Sequence, residues 1–480
     1  MIKRALVIAP HPDDEINLAG QLIITMVKKD VEVFVAYTTN GDAELKIGNK
    51  RIYEAIEANS VLGIDSSHVI FLGYANEWYE NSHIYNSTDD DKVQRSKIGK
   101  TETNSVKDFP EFCFRQHNQH HKFTKNNFKN DLKELIVSLF PELIIAPEFD
   151  SHPDHRAASL VFDEVMGEVL KSNSDYRPIV LKKYIHEGVW LGPKDYYQKP
   201  MLPTKTEGKR SYSGGTHDLD TPNFRWSERV RFETDESTRT PLLRDNIIYK
   251  AAAKHKLTTS WYEMQRVINA DVVYWNRPTN NLALDAQITA SSGDVSFIND
   301  FMQYGSSDVL NVFEPFIDEK NFCWCPDESD SIKRVIIKLK KPYSISKIII
   351  YEDCNKDNHI RNLEIRTDGF FQSIELNSDG SGTIVELPNV VTDVIYFYVI
   401  DGEGTNGIAE IEIYSDTVDI LDSLPVQMYG KMPSKSTISM VQKIEKYWLM
   451  VRFLFTFKIK YELGQLINKR KLKKCRAKRI

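Results

Sequence analysis

The sequence predicts an α/β domain on a mostly parallel sheet, then an antiparallel β-sandwich (jelly roll), then a basic amphipathic C-terminal helix. Three observations lead to this expectation. Strand-like and helix-like segments alternate through residues 1–190, short strand-like segments fill residues 288–414, and a helical stripe rich in cations follows Ser434. Alternating strands and helices are typical of βαβ units, whereas many short strands separated by turn residues indicate a sandwich.

Length and composition limit the possibilities further. The chain has 480 residues, more than one core usually holds, so several domains are expected. Hydrophobic residues make up 41% and charged residues 27%, as in folded proteins. No run reaches the ~18 apolar residues of a membrane span.

The short apolar run at residues 5–9 predicts the first strand of a cytoplasmic protein rather than a signal peptide. The five cysteines form no framework and are expected to be free thiols.

The N-terminal part supplies the strands and helices of the parallel sheet. Apolar or β-branched runs predict strands, and apolar residues at helical spacing predict helices. The strands are predicted at 5–9, 31–38, 69–72 and 143–146, and the helices at 18–27, 51–62, 128–140, 156–170 and 242–256. This alternation indicates a Rossmann-like sheet with flanking helices. The long polar segments 76–126 and 192–240 lack clear periodicity and are expected to frame a pocket.

Two polar strings each follow a predicted strand and precede a predicted helix. Residues 9–15 read APHPDDE, and residues 151–155 read SHPDH. In open α/β sheets, ligands bind beyond the carboxyl ends of the strands. A catalytic zinc takes about three imidazole or carboxylate ligands and keeps one position for water, whose proton a nearby carboxylate can accept. One such string is commonly a turn with a helix cap, but two of them favour a metal-dependent hydrolase.

The spacing within the strings suggests how the side chains divide the work. His11 and Asp14 are three residues apart on a turn, so both can point inward, while Asp13 between them can face the water. His152 and His155 repeat this spacing, so one can bind a metal and the other can face a substrate. Zinc is favoured by such ligands, although another divalent transition metal such as iron or cobalt fits a similar set.

The paired strings resemble those of the PIG-L/LmbE-type de-N-acetylases, zinc enzymes that remove acetyl from N-acetylglucosamine units of glycolipids and small glycoconjugates. The resemblance covers about residues 1–270. By position it implies three zinc ligands, a general base, and an acid with an orienting carboxylate: His11, Asp14 and His155 bind zinc, Asp13 is the base, His152 is the acid or oxyanion donor, and Asp154 orients it.

The resemblance also implies substrate contacts. Arg51 would contact the sugar or its aglycone, and Asn76 stands where many members of the family have an aspartate that touches the sugar. Trp226 and Arg229 are expected to bind the sugar by stacking and by hydrogen bonds, with an ordinary folded loop as the alternative.

Three further histidines in the 76–126 segment invite a metal-site interpretation. His117, His120 and His121 are expected to be solvated loop residues rather than a second metal site.

We expect three regions: a deacetylase domain at 1–277, a β-sandwich at 278–416, and a linker with a basic helical tail at 417–480. Residues 281–292 and 407–414 resemble the opening and closing segments of discoidin, or coagulation factor 5/8 type C, domains. The resemblance implies a galactose-binding-like jelly roll. Such a domain binds glycan through loops at one end, or else packs against the first domain and shapes its cleft.

The C-terminal tail is strongly basic. Residues 431–480 contain fifteen Lys or Arg and two acids, in a chain whose net charge is −6. Apolar residues within the tail form one helical stripe: Val441, Ile444, Trp448, Val451 and Phe455. This pattern is typical of a helix on an anionic membrane surface, with a docking helix or a nucleic-acid patch as alternatives. We expect residues 441–479 to bind an anionic membrane, at its inner face, and no nucleic acid.

These observations predict a zinc-dependent hydrolase that removes the N-acetyl group from an N-acetylhexosamine (GlcNAc-like) unit of a glycolipid or cell-envelope glycan precursor. Two alternatives stay open: a deacetylase of a small soluble GlcNAc conjugate, and a non-catalytic carbohydrate-binding scaffold. The additional domain and the basic tail argue against the first alternative. The intact Asp13 and His152 argue against the second.

Overall fold

The computed structural model describes most of the predicted deacetylase domain and sandwich, and a few residues of the tail. The described residues are 2–42, 47–76, 90–148, 152–183, 185, 229–240, 245–256, 268, 271–303, 323–352, 358–377, 382–404, 406–415, 440, 444, 447, 448 and 451.

A seven-stranded sheet forms the centre of the N-terminal domain. Its strand order is β3-β2-β1-β4-β5-β7-β6. The first five strands pair in parallel, and β7 and β6 extend the sheet by antiparallel pairs. The mostly parallel sheet predicted from the sequence is confirmed. The strands are β1 Arg4–Ala9, β2 Glu32–Thr39, β3 Val69–Tyr74, β4 Leu143–Pro147, β5 Ile179–Lys183, β6 Arg229–Glu233 and β7 Asp271–Asn276.

Helices cover both faces of this sheet. One face carries α1 Asp14–Val27, α2 Ile47–Val61 and α6 Ile247–Ala252, and the other carries α3 Phe112–His117, α4 Lys125–Leu139 and α5 Pro153–Ser172. Because side chains alternate along a strand, Ala5 and Val7 join one core while Leu6 and Ile8 join the other. Each fully buried Leu, Ile, Val or Phe side chain contributes about 1.5–3 kcal/mol. The two apolar cores therefore stabilise the sheet, and polar side chains at its edge are available for other roles.

The described strands of the second domain all pair in antiparallel fashion, as predicted. Its sheet has the order β11-β10-β12-β9-β13, and β8 also pairs with β9. The pairing of β9 with β12 shifts register near Val390 and Val394, so these two long strands bend and serve both layers around one apolar core. The strands are β8 Gln287–Ala290, β9 Arg334–Glu352, β10 His359–Thr367, β11 Phe370–Ile374, β12 Thr383–Glu403 and β13 Ile408–Ser415.

A buried polar junction joins the two domains directly after β7. Arg277 forms an ion pair with Glu412 of β13 and donates to the backbone carbonyl of Phe301 at 2.9 Å. Burial raises the pKa of the neighbouring Glu410 and Asp300 well above the usual carboxyl value. The carbonyl of Asp300 also lies where a Cβ on the helical Gly167 would be, so a larger residue cannot occupy this position without a shift. The sandwich therefore packs closely against α5.

The tail is described at five positions, all helical and exposed. The exposed fraction is 58% for Ile444, 68% for Trp448 and 42% for Val451, three members of the predicted stripe. The other two members, Val441 and Phe455, lie outside the described residues. Within the described part of the chain, no helix is both long enough and apolar enough to cross a bilayer.

Candidate metal centre

The two polar strings meet because β1 and β4 are neighbours in the sheet. Ala5 pairs with Leu143 and Val7 with Ile145, in parallel, so both strands end at the same edge. The chain builds β2 and β3 on one side of β1 and then crosses to place β4 on the other side. This reversal of strand order opens a crevice where α/β proteins bind ligands.

Three donor atoms converge in this crevice. His11 Nδ1 lies 2.9 Å from Asp14 Oδ2, Asp14 Oδ2 lies 3.1 Å from His155 Nε2, and the two ring nitrogens are 3.2 Å apart. All three residues are buried, and the exposed fraction of each is 6% or less. Three lone-pair atoms this close require a positive charge between them, either a proton or a metal ion.

The pKa shifts of His11 and Asp14 also indicate a positive charge between these donor atoms. Burial opposes protonation of His11, but the carboxylates of Asp14 and Asp154 outweigh it and raise the pKa of the imidazole. Burial likewise opposes ionisation of Asp14, but His155 and His11 hold the pKa of its carboxyl well below the usual value. A bound metal competes with these protons, so its affinity falls as the pH is lowered.

The donor set fits a tetrahedral zinc. Such an ion, with nitrogen and oxygen ligands at about 2.0–2.2 Å, holds neighbouring ligand atoms about 3.3–3.6 Å apart. The three observed separations are a few tenths of an ångström shorter. Small outward shifts of three side chains are therefore enough to admit the ion.

Asp154 contacts a different imidazole from the one expected. Its Oδ2 lies 2.9 Å from His11 Nε2 but 3.9 Å from His152 Nδ1. A carboxylate on Nε2 fixes the tautomer that leaves Nδ1 of His11 as the metal-facing lone pair. The shorter contact favours Asp154 as the group that orients His11, and its expected role toward His152 stays a prediction.

His152 has the opposite tautomer requirement. It is the N-cap of α5, and its Nδ1 accepts the backbone N–H of Asp154 at 3.2 Å. A neutral ring that accepts at Nδ1 carries its proton on Nε2 and can donate it. A nitrogen of His152 lies within 4.8 Å of donor atoms of His11 and His155. The cap nevertheless favours His152 as a hydrogen-bond donor beside the metal rather than as a ligand.

Asp13 is held at the start of α1 by Arg51. The guanidinium lies 2.8 Å from Asp13 Oδ1 and also donates to the backbone carbonyl of Pro12 at 2.6 Å. Asp13 has φ 130°, a conformation that costs energy for a residue with a side chain and that clusters at functional sites. The Arg51 side chain is 9% exposed and that of Asp13 is 22% exposed. Arg51 therefore positions Asp13, a role that the sequence did not indicate.

Glu15 and His255 stabilise the turn at Asp13 by hydrogen bonds. Glu15 accepts the backbone N–H of Asp13 at 2.9 Å, and its other oxygen lies 2.6 Å from His255 Nε2. Both residues are fully buried. Gly41, at φ 62°, supplies a carbonyl to Arg51 and leaves no space for a Cβ beside the guanidinium.

A group of buried polar side chains extends the crevice beyond Arg51. Asn40, Asp42 and Asn76 follow the ends of β2 and β3 and are each 5% exposed or less. Among the described residues, Oδ1 of Asn40, Oδ1 of Asn76 and Oδ2 of Asp42 find no hydrogen-bond partner. Lys100 Nζ is 3.6 Å from Asp42 Oδ2, within ion-pair reach. Buried polar atoms without partners are costly, so these oxygens indicate a place for a polar ligand.

The structure thus gathers eight of the ten predicted site residues near one edge of the sheet. Trp226 lies outside the described residues, and Arg229 is the first residue of β6. Arg51, expected to contact the sugar or its aglycone, contacts Asp13, and its contact with the substrate stays a prediction. Sequence reasoning did not single out Asn40, Asp42 or Glu15, although Asn40 and Asp42 follow β2 just as the first string follows β1.

An α/β sheet with two imidazoles, a carboxylate and a second positioned carboxylate at its switch point is typical of metal-dependent hydrolases. Residues 6–166 match the family model described as PIG-L: GlcNAc-PI de-N-acetylase. This match covers both polar strings and confirms their resemblance to the PIG-L family. No curated protein matches the chain.

Solved structures resemble each part of the chain separately. N,N'-diacetylchitobiose deacetylase from Pyrococcus horikoshii, complexed with its inhibitor MPG, is 19% identical over 39% of this chain and 62% of its own, with a TM-score of 0.26. The Streptococcus pneumoniae fucose binding module SpX-3 is 17% identical over 28% of this chain and 98% of its own, with a TM-score of 0.23. The family 32 CBM from C. perfringens NanJ, in complex with galactose, is 19% identical over 28% and 95%, with a TM-score of 0.20. The similarity to the Pyrococcus horikoshii deacetylase spans less than two thirds of the length of that protein.

The tautomer assignment predicts which substitutions weaken metal binding. His155→Ala and Asp14→Ala each remove a donor atom, so each should lose one zinc equivalent that the unaltered protein holds. Asp154→Asn should weaken that site by about 10–100-fold, because it disturbs the orientation of His11. His152→Ala should retain the ion. Competition with a chromophoric chelator measures these affinities, and loss of the ion in His152→Ala would show that His152 is a ligand.

Proposed function

We propose that this protein is a zinc-dependent hydrolase that removes the acetyl group from an N-acetylhexosamine. The triangle formed by His11 Nδ1, Asp14 Oδ2 and His155 Nε2 carries this proposal, because it offers the three donors that a catalytic zinc takes from the protein. The PIG-L match over residues 6–166 supports the choice of an N-acetylated sugar.

A zinc ion held by His11, Asp14 and His155 would lower the pKa of a water and polarise the acetyl carbonyl. Asp13 accepts the proton of the attacking water through its carboxylate. Arg51 holds this carboxylate by the 2.8 Å ion pair and also through its bond to the Pro12 carbonyl. Glu15 fixes the backbone of the same residue. The base is therefore preorganised and needs no rearrangement in the transition state.

His152 acts on the other side of the reacting carbonyl. Its Nδ1 is occupied by the N–H of Asp154, so the donor that faces the crevice is Nε2–H. This N–H stabilises the negative charge that develops on the carbonyl oxygen, a contribution worth about 2.7–4 kcal/mol in other hydrolases. When the C–N bond breaks, the proton taken up by Asp13 passes to the leaving amine, while the Nε2–H of His152 stays on the ring as a hydrogen-bond donor.

The sugar ring in this proposal occupies the polar pocket of Asn40, Asp42 and Asn76. Arg51 links that pocket to the base, since it contacts both the Gly41 carbonyl and Asp13. Hydroxyl groups of a hexosamine can donate to the three unpartnered oxygens and so remove their desolvation penalty. Lys100 adds a donor to the same pocket.

Substitution of the base tests the reaction. Asp13→Asn should lower kcat for acetate release by about 10²–10⁴-fold, because the amide cannot accept the proton. Zinc content should be unchanged, since Asp13 is not a ligand. Acetate release is measured on a panel of free, soluble-conjugate and lipid-linked N-acetylhexosamines. Asp175→Asn, on the surface, is the matched control. Full activity of a folded Asp13→Asn variant on this panel would contradict the assigned role.

Substitution in the polar pocket tests the sugar position. Asn76→Ala should raise KM by about 5–150-fold, the value of a hydrogen bond of about 1–3 kcal/mol. The change in kcat should be smaller, because the contact lies away from the reacting amide. One deoxy analogue of the best substrate should then show the same KM with both proteins. Asn377→Ala, in the second domain, is the control. Equal KM values for Asn76→Ala and the unaltered protein on every analogue would place the sugar elsewhere.

The C-terminal tail is the basis for proposing that the substrate lies at a membrane. Ile444, Trp448 and Val451 present an exposed apolar stripe on a helix, and residues 431–480 carry fifteen cations. Such a helix binds the anionic inner face of a membrane through both its apolar and its basic side. This arrangement favours a lipid-linked glycan precursor as the substrate, while a small soluble GlcNAc conjugate is the second candidate in the activity panel.

Vesicle binding tests the tail. The full chain should sediment with vesicles that contain phosphatidylglycerol and much less with pure phosphatidylcholine, and added salt should weaken binding. The double variant Ile444→Glu, Trp448→Glu should bind at least about tenfold more weakly, because two apolar contacts are lost. Ile400→Glu changes an equally exposed apolar side chain on the sandwich and should bind normally. If the double variant instead binds vesicles normally but unfolds at a lower temperature, the stripe docks on the protein.

A further inference from the structure

A second group of metal-binding side chains lies beside β3, away from the two polar strings. Cys113 comes from α3, His121 from the loop that follows it, and Asp131 from α4. Each offers one donor atom, and the three atoms lie within 4.8 Å of one another. We propose that Cys113, His121 and Asp131 form a second, structural zinc site that ties the 90–124 segment to the sheet.

The carboxylate and the imidazole are already oriented. Asp131 is 1% exposed, and its Oδ1 lies 2.8 Å from His121 Nδ1. The hydroxyl of Tyr74, at the end of β3, donates to the other carboxylate oxygen at 2.7 Å. A hydrogen bond to one oxygen of a carboxylate is how proteins commonly aim the other oxygen at a metal. The imidazole side is 23% exposed, which provides an entry path for the ion.

Burial raises the pKa of the Cys113 thiol, so a bound cation would be needed to hold this sulfur as a thiolate. Cys113 is completely buried, and its Sγ lies 3.1 Å from the hydroxyl of Thr103. The backbone N–H of His121 donates to the same Thr103 hydroxyl at 3.0 Å. The hydroxyl can therefore turn its own hydrogen toward the sulfur. Zinc binds thiolate, imidazole and carboxylate together and prefers four ligands in structural sites.

Glu111 is the candidate for a fourth ligand. Glu111 is 2% exposed, and its Oε1 lies 3.4 Å from the Thr103 hydroxyl that contacts the sulfur. The same carboxylate pairs with His120. Glu111 or a water on the partly exposed His121 side would complete the tetrahedron.

The position of the cluster explains what the ion would do. Residues 90–124 contain one short helix and two isolated bridges, Glu102 with Lys122 and Val106 with Phe109. Long segments with so little regular structure gain much from a cross-link. The segment also reaches the sugar pocket, because Asn40 donates to the Asn104 carbonyl at 2.5 Å. Zinc at Cys113 would therefore hold one wall of that pocket without taking part in the reaction.

Sulfur makes the two sites distinguishable by experiment, since the catalytic triangle has none. The purified full chain, stripped with a chelator and reloaded, should hold two zinc or two cobalt(II) ions. The cobalt form should show a thiolate-to-cobalt charge-transfer band. Cys113→Ser should lose this band and one ion while it keeps the other ion. His155→Ala should lose the other ion and keep the band, so failure of the catalytic proposal does not affect this result.

Further variants separate metal binding from folding defects. Asp131→Asn keeps the shape of the side chain and should also lose the second ion, with a circular dichroism spectrum like that of the unaltered protein. Its melting temperature should be insensitive to a mild chelator that lowers that of the unaltered protein. The double variant Cys323→Ser, Cys325→Ser removes two other thiols, whose sulfur atoms are 3.3 Å apart, and should keep the band. A cobalt form of the unaltered protein without the thiolate band, or a band that persists in Cys113→Ser, would overturn the proposal and leave an ordinary hydrogen-bonded cluster.

Discussion

The parallel pairing of β1 with β4 is the contact on which the whole site depends. It places the ends of two strands side by side although about 140 residues separate them in the chain. That pairing is held by the two apolar cores on either face of the sheet rather than by the polar residues at its edge. The polar strings are then free to concentrate imidazoles and carboxylates whose mutual proximity would be unfavourable without a cation. Stability and chemistry are thus assigned to different parts of the same strands.

Around this centre, several residues act by holding others. Arg51 holds Asp13, Glu15 holds the backbone of Asp13, and Asp154 holds His11. Gly41 is required because the guanidinium of Arg51 occupies the space where a side chain would stand. Such supports fix side chains within the narrow limits that catalysis needs. The 90–124 segment adds the wall of the sugar pocket, and the proposed second zinc site would give this wall the rigidity that its short elements lack.

Sequence patterns predicted the parallel strands at the centre of the first sheet better than the exact bounds of the helices and the strands at the edges. Helix α1 begins at Asp14 and not at residue 18, because its first turn is made of the acidic site residues rather than of apolar ones. Residues 334–352, part of the region expected to hold many short strands, form one long strand, β9, because a local pattern does not show where a strand continues through polar residues. Strands β6, β7 and β11 and helix α3 were not predicted, and the helix expected over 242–256 is observed at 247–252. His121 was expected in solvent and instead pairs with the buried Asp131.

The sequence by itself determined the fold classes and the chemistry of the two strings. Alternating strands and helices are compatible with few sheet topologies. Imidazoles paired with carboxylates after two strands are typical of metal binding and acid–base catalysis. Only the tertiary structure decided which carboxylate serves which imidazole, that Arg51 supports Asp13, and that Cys113, His121 and Asp131 meet. These pairings depend on the order of strands in the sheet and on the tautomer that each neighbouring hydrogen bond imposes. Both are set by contacts between segments distant in the chain, which no local pattern contains.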